Sequence, residues 1–537
     1  MERTTLFGRH REQVLDAGVA LSLANLLFLN VWVQLLDRKT EDFFLRTPAP
    51  PSLAIVTAID VVLVGSLLYF SFRLGRRLTG FARKACELVL LGILLVPLNI
   101  LRTRVLKLGA SGLLHHGITI LLAPAACVVA WVVVRHRQPS IRLARRLAIL
   151  LLALFPLEVA HVAVVSSPTG SDRPLAARIQ RSQSRHLRVV WVIFDEFDEC
   201  LAFSGRPSSV ALPELDRLRR ESIFSTRARP PGPATIRSIP CLFTGKYVDE
   251  AEVVKPYDLS IRYRGEKGFH LWSEEPSVFK TAYSLGFNTG LAGWFHPYCR
   301  LFSFTACDWV PTSSVFARED YAQHLSLVPS ILLQLRLQTI EVPGLGFAFH
   351  GVETTPSRQI PSLRSRSRAH EIREYRDIHQ AAMRQLRDQG LDLVFLHWPM
   401  PHPLYFFDRR TGDFTTGDGA NYFDALALVD RTVGDIRSTL QQEGVWDETA
   451  LLISSDHPLR ADEARVLGAW SQEEEGVLGK EKCSYIPFLL KMPGQRRAIQ
   501  YDGDLGALVS GDLLLAILKG EVKSPEAAIQ WLRTHPR

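Results

Sequence analysis

Three short apolar runs in this sequence end in side chains that could hold a divalent cation. Val189 to Phe194 is followed by Asp195 and Glu196, Leu393 to Leu396 by His397 and then His402, and Ala450 to Ile453 by Asp456 and His457 shortly after. Carboxylate oxygens and imidazole nitrogens on one ion favour zinc or manganese over a soft-metal site. Taken singly, each pair is weak evidence, because an Asp at the end of a strand more often caps a turn. The coincidence at three run ends carries the reading. Between the first two runs lies Pro230-Pro231-Gly232-Pro233-Ala234-Thr235-Ile236-Arg237-Ser238-Ile239-Pro240-Cys241-Leu242-Phe243-Thr244-Gly245. Thr235 stands where a helix could begin, so it is either an N-cap or a hydroxyl held against the cation. In the second case coordination favours the alkoxide, and the helix start favours an incoming phosphate.

Something must bring these residues together. From Leu187 onward, apolar runs of strand length alternate with amphipathic segments, the pattern of a mostly parallel sheet covered by helices. In such sheets ligands bind beyond the carboxyl ends of the strands, where the acids and histidines fall.

The first third of the chain is a different material. The 537 residues are too many for one core. The hydrophobic share is 47%, and apolar residues concentrate in stretches long enough to span a bilayer. Five are expected: Ala17 to Leu36, Leu53 to Phe72, Cys86 to Leu101, Ile118 to Val134 and Leu147 to Val165. Arg73, Arg76, Arg77, Arg83 and Lys84 follow the second, and Arg135, Arg137, Arg142, Arg145 and Arg146 follow the fourth. Basic loops face the cytoplasm, which puts the amino terminus inside and the chain after Val165 outside. The net charge of +8 follows from these clusters. No basic stripe interleaved with aromatics points to nucleic acid. Asp60, Glu158 and His161 lie inside expected spans, where ionisable groups face a cavity or one another. Seven cysteines without CxxC spacing exclude thiolate zinc; Cys299 and Cys307 would pair in an oxidising compartment. The stretch 166–186 reads as a linker, either a tether or a helix on the following domain, which gives domains of 1–165 and 187–537.

The segment Thr235-Ile236-Arg237-Ser238-Ile239-Pro240-Cys241-Leu242-Phe243 resembles the Thr-x-x-Ser-x-Pro-Cys-x-Phe nucleophile segment of membrane-bound phosphoethanolamine transferases, sulfatase-like enzymes of the alkaline phosphatase superfamily. Lipoteichoic acid synthases are similar at a greater distance. The resemblance implies an α-helical transmembrane bundle of about five spans followed by an α/β alkaline phosphatase/sulfatase-like domain with a mostly parallel sheet. It implies Thr235 as metal-bound nucleophile, Glu196, Asp456 and His457 as metal ligands, and Asp195 as the additional acidic ligand of sulfatases. His397 and His402 match the two-histidine loop near the substrate phosphate. Leu212 to Leu218 and Ser484 to Phe488 are also similar to family segments. Pro458 replaces a usual Gly and Tyr485 a frequent His, departures that bear on a second metal. Arg237, His296, Arg300 and Arg460 are further candidates for holding a phosphate. A threonine cannot be oxidised to formylglycine, which disfavours sulfate-ester hydrolysis. The implied activity is transfer of a phosphoryl-linked headgroup from a phospholipid donor to an envelope acceptor, at a bacterial inner membrane with the catalytic domain outside. A phosphodiesterase or phosphatase would share every site residue; a non-catalytic membrane protein would have lost the ligands.

Overall fold

The computed structural model describes residues 2–29, 31–32, 51–84, 135–165, 172–180, 187–255, 258–310, 327–341, 361–466, 470–478 and 484–535. The chain forms two compact units. One comprises Met1–Asp37, Pro48–Thr169 and Phe316–Pro356, the other Arg38–Thr47, Gly170–Val315 and Ser357–Arg537.

The second unit is built on a nine-stranded mixed sheet. Its strands are β1 (Arg188–Asp195), β2 (Ile223–Arg229), β3 (Thr289–Gly293), β4 (Ala306–Trp309), β5 (Leu393–Pro401), β6 (Thr449–Ser455), β7 (Ile486–Lys491), β8 (Ile499–Gln500) and β9 (Leu505–Gly506). They run in the order β8-β2-β7-β6-β1-β5-β3-β4, with β9 also on β2. Most neighbours are parallel; β7 is antiparallel to both β6 and β2. Every residue of β1, β5 and β6 is buried, as a strand covered on both faces must be. Alternation along β1 sends Val189, Trp191 and Ile193 to one apolar layer and Val190, Val192 and Phe194 to the other. The first layer contains the helix Thr235–Thr244, the second the helix Tyr422–Gln442.

Strand order places the three predicted run ends side by side. β1 pairs in parallel with β6, Phe194 opposite Ser455, and with β5, Ile193 opposite His397. Of the expected linker, 172–180 is described, and it is neither helix nor unattached tether. It runs as irregular chain along the second unit, where the Arg173 and Ala176 amides donate to the Cys299 and Phe304 carbonyls at 2.7 and 2.8 Å. Cys299 and Cys307 are disulfide-bonded, and Cys200 is also in a disulfide.

The first unit contains the helices Glu2–Leu27, Pro51–Gly75, Arg137–Leu151, Leu154–Val165 and Leu327–Glu341 among the described residues. One of them, over Ile55–Gly75 with mean hydropathy 2.1, is long and apolar enough to cross a membrane. The expected fifth span is two helices here, broken at Leu152 and Ala153. Pro156 lies in the first turn of the second, where its missing N–H is tolerated and its ring clashes with any helix continued from residue 152. The expected third and fourth spans lie outside the described residues.

At one end of this unit Asp16 takes hydrogen bonds from both Arg76 and Arg145 at 2.6 Å, so the two arginine-rich segments meet the same carboxylate. Elsewhere Asn25 Nδ2 donates to Glu158 at 2.6 Å and Trp32 Nε1 to Asn25 at 2.8 Å. His161 is exposed. The helix Leu327–Glu341 comes from the middle of the second unit's sequence, yet it packs on Pro51–Gly75: Gln334 donates to Thr57 at 2.9 Å, and Leu335 lies against the cluster of Phe28, Trp32 and Val61. The sequence boundary at residue 187 has no such excursion.

Candidate active site

Thr235 is the first residue of its helix, and the N-cap position belongs to Ala234, which makes no side-chain cap. The capping alternative is therefore ruled out, and the hydroxyl is available for another use. It lies 3.3 Å from Asp195 Oδ2 and 3.3 Å from His457 Nε2. Its orientation is set on both sides. Gly232, in the proline-rich approach, passes so close to the helix that a Cβ there would sit 2.8 Å from Ser238 Oγ. His296 Nε2 is 3.3 Å from the Thr235 carbonyl; burial holds this imidazole well below its usual pKa, so it is neutral and can donate through Nε2.

Asp195, Asp456 and His457 offer ligand atoms within 4.8 Å of one another, all buried. His457 Nε2 is 3.4 Å from both carboxylates. Asp195 Oδ1 and Asp456 Oδ2 are buried without a hydrogen bond. Burial, then the charges of Asp456 and Glu196, raise the Asp195 pKa well above the ordinary range. Burial acts in the same direction on Asp456, but His457 and His397 outweigh it and bring it below that range. Two buried carboxylates this close, with orphaned oxygens and an imidazole between them, fit a divalent cation, which would satisfy those oxygens and cancel their repulsion.

Glu196 is oriented differently from Asp195. Its φ of +62° is rare for a residue with a side chain, and the turn is held by its amide on Asp456 Oδ1 at 3.3 Å and by the Tyr422 hydroxyl on its carbonyl at 2.6 Å. The Glu196 side chain forms an ion pair with Arg460 at 2.7 Å. Arg460 also lies 3.3 Å from His402 Nε2, so the guanidinium links the β1 and β5 ends. His397, on β5, meets the Tyr298 hydroxyl through Nδ1 at 2.8 Å; burial lowers its pKa to about 4.

Thus Asp195, Glu196, Thr235, Asp456, His457, His296 and, through Arg460, His402 are brought together. Arg237 and Arg300 are directed elsewhere. Arg237 donates to the Asp249 carbonyl at 3.0 Å, while Arg300 pairs with Asp172 at 3.3 Å and lies over the Trp309 ring. Tyr298 and Tyr422 are the residues that sequence reading missed. Tyr298 sits two residues after His296 in an aromatic run, a faint signal; for Tyr422 there was none, since a tyrosine at a helix start reads as packing.

A mixed sheet with acids and histidines at adjacent strand ends, facing a hydroxyl at a helix start, defines an α/β enzyme with a candidate metal site. Residues 188–510 match the model of the family described as Sulfatase, and the chain belongs to that family. Similar solved structures include the lipoteichoic acid synthase LtaP from Listeria monocytogenes, at 14% identity and TM-score 0.36 over 62% of this chain and 72% of that one. Others are the phosphonate monoester hydrolase of Agrobacterium radiobacter, at 14% and 0.36 over 62% and 74%, and an alkaline phosphatase superfamily protein from Vibrio parahaemolyticus, at 13% and 0.36 over 65% and 69%. No curated protein sequence matches the chain.

Proposed function

We propose that this enzyme is a membrane-anchored transferase that moves a phosphoryl-linked headgroup, of the phosphoethanolamine kind, from a phospholipid to an envelope acceptor through a covalent intermediate on Thr235. The observation that carries it is the Thr235 hydroxyl, 3.3 Å from both Asp195 and His457 at the start of a helix, in a chain that also has the apolar helix Ile55–Gly75. Asp195, Asp456 and His457 would hold the cation, with zinc or manganese suited to these oxygen and nitrogen donors, and Glu196 would join them only by giving up its 2.7 Å contact with Arg460. When bound, the cation would supply Lewis acidity at the phosphate and stabilise charge on the threonine oxygen.

The protein's own groups do the rest. Thr235 Oγ attacks phosphorus, its proton leaving toward Asp195 Oδ2, and the bond from phosphorus to the diacylglycerol oxygen breaks as that oxygen takes up a proton. The headgroup phosphate then sits on Thr235, at the positive end of a helix. Arg460 and His402, in contact at 3.3 Å, and the buried His397 would be the groups to receive its oxygens, the guanidinium bearing part of their charge. An acceptor hydroxyl or amine attacks next, loses its proton and returns Thr235 to its alcohol. A donor already in the bilayer favours an enzyme held at the same surface, because confinement raises encounter frequency without new contacts.

The domain division we propose is a membrane domain over 1–165 with about five spans, a linker over 166–186 and an extracytoplasmic catalytic domain over 187–537, from which Phe316–Pro356 departs to join the first unit. The shared contact of Arg76 and Arg145 with Asp16 supports a common, cytoplasmic side for both arginine-rich segments. The disulfide between Cys299 and Cys307 suits an oxidising exterior. The deciding experiment is mass spectrometry of the purified enzyme after exposure to headgroup-labelled phospholipid, alone and then with acceptors. Label on Thr235 that moves to an acceptor is the expected result. Release only to water, at a rate no acceptor changes, would make the enzyme a hydrolase, and absence of label on Thr235 would sink the mechanism.

A further inference from the structure

Two helices of the first unit bury a set of oxygens that lack donors. Thr57 and Asp60 lie one turn apart on Pro51–Gly75, both 0% exposed, a spacing that puts their Cβ atoms about 5–6 Å apart on one face. Gln334, on Leu327–Glu341, is 4% exposed and donates its amide nitrogen to Thr57 Oγ1 at 2.9 Å. That contact uses the amide as a donor. Its Oε1 makes no hydrogen bond, and neither does Asp60 Oδ1 or Oδ2. By contrast, Asp16 in the same unit has two arginines and Glu158 has Asn25.

An unserved carboxylate among apolar helices is costly, and such a residue marks a functional site by default. The chemistry of the gap limits what could fill it. Three acceptor oxygens and one negative charge match a primary ammonium, which brings three N–H donors and one positive charge. Calcium or magnesium calls for six or more oxygen ligands, zinc for imidazole or thiolate donors that this set lacks, and a quaternary ammonium has no N–H to give. We propose that Asp60, Gln334 and Thr57 form a binding site for a primary ammonium group, carried either by an aminophospholipid headgroup or by a soluble amine. The site is independent of the Thr235 chemistry, and its occupancy can be read without turnover.

The test uses the full chain in detergent, stripped of lipid, with bound molecules counted by native mass spectrometry. Phosphatidylethanolamine should bind at least about tenfold more tightly than phosphatidylcholine, as expected for loss of charge-assisted hydrogen bonds. Asp60→Asn should erase that preference, and Gln334→Leu should reduce it several-fold. Free ethanolamine is titrated in parallel: binding as tight as the lipid's assigns the site to a soluble amine, and much weaker binding assigns it to the lipid. Equal binding of the two lipids by the unaltered chain would overturn the proposal, as would a preference that survives in a folded Asp60→Asn chain. Should Asp60→Asn fail to fold, the lipid preference of the unaltered chain and its loss in Gln334→Leu decide the matter.

Discussion

In the second unit, Asp195, Thr235, Asp456 and His457 arrive from two strand ends and a helix start and crowd within a few ångströms of one another. In the first, polar groups pair off separately, Asn25 with Glu158, Gln334 with Thr57 and Asp16 with its two arginines, while Asp60 stands apart without a hydrogen bond. Like charges forced together with orphaned oxygens indicate a site built for an ion and for chemistry. Separate donor-acceptor pairs between apolar helices indicate contacts that join helices or receive part of a ligand. Substitutions in the two units should therefore fail in different ways.

The sharpest contrast is at the proposed nucleophile. Thr235→Ala should lower turnover by roughly three orders of magnitude or more, as loss of a covalent nucleophile does elsewhere, with an unchanged circular dichroism spectrum. Chelation should have the same effect and be reversed by zinc or manganese. Retained activity in Thr235→Ala would dissolve the comparison at its centre. Arg460→Ala, which leaves Glu196 without its ion-pair partner, should cost roughly 10- to 100-fold in kcat/KM, the scale of groups that orient metal ligands. An equal loss on a neutral and an anionic substrate would mean that the arginine only steadies Glu196.

A change in the first unit should separate substrates. Glu158→Gln should raise the apparent KM for a lipid donor several-fold and leave a short soluble ester unaffected; equal effects would show that Glu158 acts through overall folding. The smallest effect concerns a lysine that serves neither site. Lys491 is buried, donates to the Trp446 carbonyl at 3.1 Å and lies over the Trp446 ring. Burial lowers its pKa from 10.5 to about 8. Between those two values the unfolded chain binds more protons than the folded one, so this residue's contribution to stability rises with pH. Its cost is complete below pH 8 and relieved toward 10.5. The melting temperature of Lys491→Met, relative to the unaltered chain, should then fall by roughly 2–4 °C as pH is raised across that window. A flat difference would place the proton elsewhere.

How much was legible in the sequence varied from residue to residue. β1, β5 and β6 could be read because strands covered on both faces must be apolar throughout, and the residues just beyond them therefore stood out. Thr235 was legible through the Thr-x-x-Ser-x-Pro-Cys-x-Phe segment. The pairing of Glu196 with Arg460 was not, because the two are 264 positions apart and adjacent acids give no sign of which will face an ion. Tyr298 and Tyr422 were hidden for a related reason: a tyrosine buries a large ring wherever it is placed, and only its surroundings decide whether its hydroxyl orients a ligand.

The helix Leu327–Glu341 shows where local pattern stops. Fifteen residues are too few for a span and typical of a helix covering a sheet, so nothing in the segment itself assigns it to the first unit. That assignment rests on Gln334 finding Thr57 and on Leu335 finding the Phe28 and Trp32 cluster, contacts between residues far apart in the chain. The sequence by itself determined which runs are strands, which hydroxyl could be the nucleophile and which family the catalytic unit belongs to, because periodicity and motif are properties of neighbours along the chain. Which acids share an ion, which arginine faces them and which helix leaves its own unit were decided by the tertiary structure, since each depends on side chains that only folding makes adjacent.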